Sequence, residues 1–560
     1  MLRNPPFRMA LASALALNLA AVPTLLSGQQ TSDEVPSITI RASTRLVVVD
    51  VVVTDKKGQP ITGLKPDDFT VEENGKKQRI ATFTPPGALQ AAPQPLPLGL
   101  ISNRPEYLRP AGVPTVLLLD AANSHFKDQG YGRLQMLKYV ADQSDSGMPM
   151  AVMTLTDRLH VLQEFTSDPK ILAAAIRNLR PQEQILQAET APTSPTGDSG
   201  ATLSAGPGSA AAIQVAQAEV AGFQSLVTGY NLELRTITTL EAMRDLSRLL
   251  GGLPGRKNVV WLTAEFPFDL IPQDRNISDA EYKADLPGSG SQRPVGLNAA
   301  GSLAAESRQL HGAEIMQAES QLASADIAIY PVDMRGIMTS GIDAATSGTM
   351  EEIASETGGK AYTNQNEIKM GIALAASDDK ASYSLSYYPE NKKWDGKYRS
   401  IKVKLNQGDT HIRYRKGYFA IEPGEAKDHN YNQDVAAALA ISAPATQVSF
   451  RAQAKPTGPG KVQVIFLVDA KTLTAEDSGG SKKMNVSLFA TVYDSGGKML
   501  TNRSLKIDRA FDTATYQQIM DKGMMVPIDL EVPSGGNQLR LAVLDGKTGF
   551  VGTASGPLGQ

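Results

Sequence analysis

The 560 residues contain no cysteine. That removes disulfides, thiolate metal sites, iron–sulfur clusters and cysteine nucleophiles together. Histidine is scarce: there are five, at positions 125, 160, 311, 411 and 429, and no two have the HExxH spacing of a zinc peptidase. Charge of one sign is also lacking, because 55 basic residues against 58 acidic ones leave a formal net charge of −3. Such a balance gives no electrostatic drive toward nucleic acid. Beyond the first thirty residues or so, no run is apolar enough to span a bilayer. What is left is ordinary globular composition, 41% apolar and 20% charged. The length is enough for about three or four domains.

The N-terminus reads MLRNPPFRMALASALALNLAAVPTLLSGQQ. Arg3 and Arg8 precede an apolar run from Met9 to about Leu26, and Ser27-Gly28 offer small residues for cleavage. This is the layout of a secretory signal, assigned to residues 1–28. The alternative is a short membrane anchor, but no basic stop-transfer flank follows. With no cysteine after the run, a lipoprotein anchor is excluded. The expectation is a periplasmic or secreted protein with no membrane span after signal cleavage.

Residues 36–86 predict a small N-terminal β domain. Leu46–Val53 is a β-branched run, and Asn74-Gly75 is the pair that a type I′ hairpin needs, since both positions take positive φ. A Pro-rich linker follows at 87–112. From Val113 the pattern changes to buried strands (TVLLLD, MAVMTLT, KNVVWLT, DIAIYPVD) alternating with helices. Leu134, Leu137, Val140 and Ala141 are the expected buried face of the first helix. Leu172, Ala175, Ile176 and Leu179 are that of the second, which opens on Asp168 as N-cap with Pro169 next. Continuous apolar strands with helices between them predict a doubly wound, mostly parallel α/β sheet, Rossmann-like in general layout. This domain spans 113–420, with insertions at about 185–250 and 266–325 and an antiparallel extension at its end. Residues 440–560 alternate strand and turn as a C-terminal β-sandwich does. Ligands of doubly wound sheets bind beyond the carboxyl ends of the strands, where Asp120, Thr263 and Asp333 stand.

Several blocks carry a resemblance. They are VVVTDKKGQPITGLKPDDFTVEENGKKQRI, VLLLDAANSHFKDQGYGRLQMLKYV, VLQEFTSDP, GRKNVVWLT, IAIYPVD, IASETGGKAY, YSLSYYPENKKWDGKYRSIKVKL and RKGYFA, together covering about 45–420. In content and order they resemble the von Willebrand factor A domain, and more closely the VWFA-related domain family of exported bacterial proteins, described mostly from acidobacteria. The resemblance implies a doubly wound sheet whose top can carry a metal-ion-dependent adhesion site. That site uses D-x-S-x-S after the first strand, a Thr from a second loop and an Asp from a third. Its hard cation, Mg2+ or another divalent ion, takes about six oxygens and leaves one position for a partner carboxylate.

The match here is degenerate. Asp120 and Ser124 fall on the pattern, Asn123 offers an amide oxygen, and Ala122 replaces the first Ser. After the strand KNVVWLT, Thr263-Ala264-Glu265 stands where Thr-Asp is usual, leaving Glu265 and Asp269 as the nearby carboxylates. Thr190, Thr193 and Thr196 compete for the second-loop position. The competing reading is that Asp120 merely caps the turn after its strand.

Other motifs point elsewhere only weakly. GDSG at 197–200 lacks a strand framework, and GGLPGRKN lacks the GK[ST] of a P-loop. Trp394 reads either as a recognition aromatic or as packing beneath a hairpin. No nucleophile–base pair is evident. The expectation is a non-enzymatic, adhesion-type interaction protein with a protein partner of unknown identity. The alternatives are a hydrolase whose site lies in the insertions or tail, and a purely structural envelope component.

Overall fold

The computed structural model describes residues 46–87, 94–108, 112–142, 148–180, 207–267, 299–336, 343–363, 368–406, 410–422 and 431–558. The signal-like segment, Thr190, Thr193, Thr196, the GDSG tetrapeptide and Asp269 lie outside them.

The four strands expected from the apolar runs share one sheet. Its order is Ile327–Asp333, Lys257–Thr263, Thr115–Asp120, Met150–Leu155, Leu159–Thr166. All neighbours are parallel except the last, where Leu159–Thr166 runs antiparallel at the edge. Tyr362 adds a parallel bridge to Val332 on the opposite side. Every residue of the four parallel strands is buried, because helices cover both faces. Alternate side chains of the first strand enter opposite layers. Val116 and Leu118 pack with Leu240, Met243 and Leu246 of helix Pro207–Leu250 and with Ile315 and Leu322 of helix Ala299–Ser324. Leu117 and Leu119 pack with Met136 and Tyr139 of helix Phe126–Asp142 and with Leu172 and Ile176 of helix Pro169–Asn178. The chain leaves Thr115–Asp120 toward one side and later returns to the other, so Asp120 ends the strand at the topological switch point.

Two sequence expectations change here. The first helix buries Gly132, Gln135, Met136, Tyr139 and Val140, while Leu134 is 48% exposed and Ala141 is also outward. Gly132 lies on the buried face, where a Cβ would fall 2.2 Å from Met334 Sδ and the Met334 side chain would have to move aside. Nor are 185–250 and 266–325 simple insertions. Their helical parts, Pro207–Leu250 and Ala299–Ser324, are the crossovers that parallel strands require. The second helix, with Asp168 accepting from Lys170 N at 2.8 Å, buries the four residues expected of it.

The β-rich flanks are built from distant pieces. Val47–Asp55 pairs antiparallel with Ser382–Tyr387 on one side and Thr410–Arg413 on the other. Tyr398–Leu405 pairs instead with Phe69–Glu73 and Gly417–Phe419 in a second sheet. Residues 382–419 are therefore not an extension of the middle domain. They complete the N-terminal β unit, and the two sheets share Val49, Val51, Val71, Leu385 and Val403. Asn74 and Gly75 take φ of 48° and 78° in the turn between Phe69–Glu73 and Lys76–Gln78, as their type I′ identity requires. Trp394 packs into this unit, its ring 5.4 Å from the Arg399 guanidinium.

The linker also contributes structure. Leu100–Ser102 is an edge strand on Phe450–Gly458 of the C-terminal unit. There the fully buried Asn103 donates to Ala445 O and Val448 O and accepts from Phe450 N. The C-terminal unit packs a sheet containing Lys461–Val468 against one containing Ser481–Tyr493 and Gln538–Asp545. It meets the middle domain where Arg248 bonds Asp434 at 2.6 Å and Gly252 N bonds Thr446 Oγ1 at 2.8 Å.

A Cβ on Gly252 would fall 1.8 Å from Thr446 O. Gly252→Ala is accordingly expected to cost about 1–3 kcal/mol, read from chemical denaturation. A second expectation concerns Asp50, buried between the N-terminal unit and the sheet, 3.8 Å from Arg256. Burial, then the like charge of Asp326, pushes its carboxyl well above the ordinary value of 3.8. A raised carboxyl stabilises the fold below its unfolded value and loses that contribution as pH rises through the folded one. Thermal melts should therefore show Asp50→Asn gaining on the wild type as pH is raised from about 4 to about 8.

Candidate functional site

Asp120 is fully buried at the carboxyl edge of the sheet. A carboxylate without water needs donors, and Asn123 and Trp261 supply them. Asn123 N donates to Oδ1 at 2.9 Å. Asn123 Nδ2 and Trp261 Nε1 donate to Oδ2, each at 2.9 Å. Burial raises the Asp120 carboxyl from its ordinary value, while the bonds from Asn123 and Trp261 pull it back down.

The network continues outward from Asn123. Its Nδ2 also donates to Thr239 Oγ1 at 2.9 Å, and its Oδ1 accepts from Arg235 Nε at 2.9 Å. Arg235 and Thr239 lie one turn apart on helix Pro207–Leu250, so both face the same loop. Arg235 Nη2 then pairs with Glu265 Oε1 in the loop after Lys257–Thr263. Ser124 Oγ accepts from Ala264 N at 2.9 Å, tying the loop after the first strand to that same loop. Thr263 Oγ1 donates to Glu265 O at 2.7 Å. At the neighbouring strand end Asp333 is occupied by Arg335, whose Nε and Nη2 bond its two oxygens at 3.0 and 2.7 Å.

Four of the five residues expected to hold a metal are thus brought together: Asp120, Asn123, Ser124 and Glu265 share one network. Asp269 lies outside the described residues. The donor set does not fit a divalent cation. Both Asp120 oxygens receive N–H groups, Ser124 Oγ receives Ala264 N–H, and the Asn123 amide oxygen faces a guanidinium. A fixed positive charge at the oxygens a cation would need repels that cation. Among the described residues no group of three or more His, Asp and Glu is arranged to hold a metal ion. The capping reading of Asp120 accounts for its contact with Asn123 N, but the side-chain bonds go further than a cap.

Arg235, Thr239 and Trp261 are members that sequence reasoning missed. A signal existed for each: Arg235 and Thr239 are polar at i and i+4 on a helix face that continues with Ala242, Met243 and Leu246, and Trp261 brings an N–H into an otherwise aliphatic strand. Elsewhere on the rim, His160 Nε2 and Thr156 Oγ1 both bond Asp157 Oδ1 at 2.8 Å. Hydroxyl and imidazole meet the carboxylate rather than each other, so no relay forms.

No protein-family model matches the chain, and no curated protein matches it in sequence. Among solved structures it is similar to an aerotolerance-related membrane protein from Bacteroides fragilis NCTC 9343, at 13% identity and a TM-score of 0.22, covering 48% of this chain and 100% of that one. It is also similar to a von Willebrand factor type A protein from Catenulispora acidiphila, at 8% identity and a TM-score of 0.22, covering 93% and 74%. A third likeness is to the vWF domain of the type V pili tip protein Mfa5 from Porphyromonas gingivalis, at 20% identity and a TM-score of 0.12. That match covers 13% of this chain and 27% of that one. The fold is defined by the strand order and connections described above.

Trp261→Phe keeps the ring and removes the donor to Asp120 Oδ2. It is expected to lower stability by about 1–2 kcal/mol at neutral pH, the cost of removing one of the two donors to a buried carboxylate oxygen that keeps its bond from Asn123 Nδ2. Because that bond favours the ionised form, the deficit should shrink as pH falls and Asp120 protonates. Denaturation of both proteins across acid pH checks this.

Proposed function

We propose that the chain is an exported, non-enzymatic interaction protein built on a von Willebrand factor A-like domain, whose carboxyl-end rim meets a protein partner without a metal. The observation that supports this most is the state of the switch point. Doubly wound enzymes place reacting groups there. In this chain Asp120, Asn123, Ser124 and Thr239 are buried and bonded to their neighbours, which favours a brace over a reaction centre. Beside that brace the rim turns outward: Phe126, at the start of its helix, is 55% exposed, and the Glu265 side chain is 40% exposed. A rigid base carrying an accessible aromatic and a charge is the arrangement of a contact surface. Export belongs to the same proposal and rests on the N-terminal pattern. Among the described residues no helix is long and apolar enough to cross a membrane.

Photo-crosslinking in the source cell envelope tests the contact surface. A crosslinkable residue in place of Phe126 should give a discrete adduct, and one in place of Met525, 69% exposed on the C-terminal unit, should not. Adducts from both positions or neither would count for a purely structural component. Turnover of an ester, peptide or glycan substrate, abolished by a change in one pocket, would restore the hydrolase reading.

A further inference from the structure

The rim holds an anion-rich set of oxygens with one buried cation among them, and that cation is part of the chain. We infer that the Arg235 guanidinium is the resident cation of this site. It takes the role a divalent metal would have, and it clamps the long crossover helix to the loops that follow Thr115–Asp120 and Lys257–Thr263.

Three observations support this. The first is connectivity. Nε bonds the amide oxygen of Asn123, whose Nδ2 bonds Asp120, and Nη2 bonds Glu265. One guanidinium therefore links both loop carboxylates, Glu265 directly and Asp120 through one side chain. The second is burial. Arg235 is 8% exposed as a residue, and a charge so placed requires counter-charge and hydrogen bonds, which this set supplies. The third is the match between helix and site. Arg235 and Thr239, one turn apart, land on the two ends of the same Asn123 amide, so the helix register and the loop conformation fix each other. A guanidinium suits this place because its donors fork in a plane and it keeps its charge at any working pH. Unlike a bound ion, it cannot be removed by a chelator.

The consequence is a rim whose shape does not depend on metal. Calorimetry and thermal melts on the full chain, in chelator and then in excess Mg2+, Mn2+ or Ca2+, should give no binding heat and unchanged melting temperatures. Arg235→Ala should lower the melting temperature on the order of 5 °C, and Arg235→Lys should recover only part of the loss, because one ammonium does not reproduce the fork. Glu265→Gln, which keeps the shape but removes the counter-charge, should cost less than Arg235→Ala. Heat with Mg2+ or Mn2+ in the wild type that vanishes in Asp120→Ala would overturn the inference, and so would an Arg235→Ala protein that melts with the wild type. The metal titration on the wild type decides the matter even if Arg235→Ala fails to fold. It is also independent of whether position 126 crosslinks to a partner.

Discussion

A carboxylate with no access to water sits at the end of the first parallel strand, and the rim is arranged around its needs. Asp120 must be given donors, and Asn123 and Trp261 give them. Asn123 is then itself buried and must be satisfied in turn, which draws in Thr239 and Arg235 from a helix more than a hundred residues later in the chain. Arg235 carries a charge inward and meets Glu265, whose partly exposed side chain returns the network to solvent. Each obligation passes to the next residue until water takes the last. Two loops and one helix are ordered by that sequence of obligations.

This arrangement differs in kind from a metal centre. A hard ion needs bare oxygens and leaves a coordination position open, so its site can be filled, emptied and exchanged. Here the oxygens are covered by N–H groups and the positive charge is tethered by a side chain. On the function proposed above, such a surface would serve steady contact with a partner better than gated capture. The accessible groups lie at its margin, Phe126 beside the brace and Glu265 as its outermost member.

The flanking units obey a different constraint, the need to cover sheet edges. Val47–Asp55 is too apolar to stand as an edge, and strands that arrive more than three hundred residues later cover both of its sides. The linker strand Leu100–Ser102 covers Phe450–Gly458 in the same way. The chain therefore threads through its β units twice, and the middle domain is anchored at points such as Gly252 against Thr446, where only glycine fits.

Local chemistry decided much of this in the sequence itself. Uninterrupted runs such as TVLLLD and IAIYPVD could bury both faces only in a covered parallel sheet. Asn74-Gly75 had to turn with positive φ, and Asp168-Pro169 had to start a helix. Asp120, Asn123, Ser124 and Glu265 could be picked out because they stand at strand ends. What the residues do to one another was beyond sequence reach, because it depends on contacts between segments far apart. Nothing local to Arg235 says that it will meet Asn123, nothing in Gly132 says that Met334 will crowd it, and nothing in 382–419 says that its partners lie before residue 90. Periodicity sets the elements, but which buried charge answers which is settled only when the helices and loops close on one another.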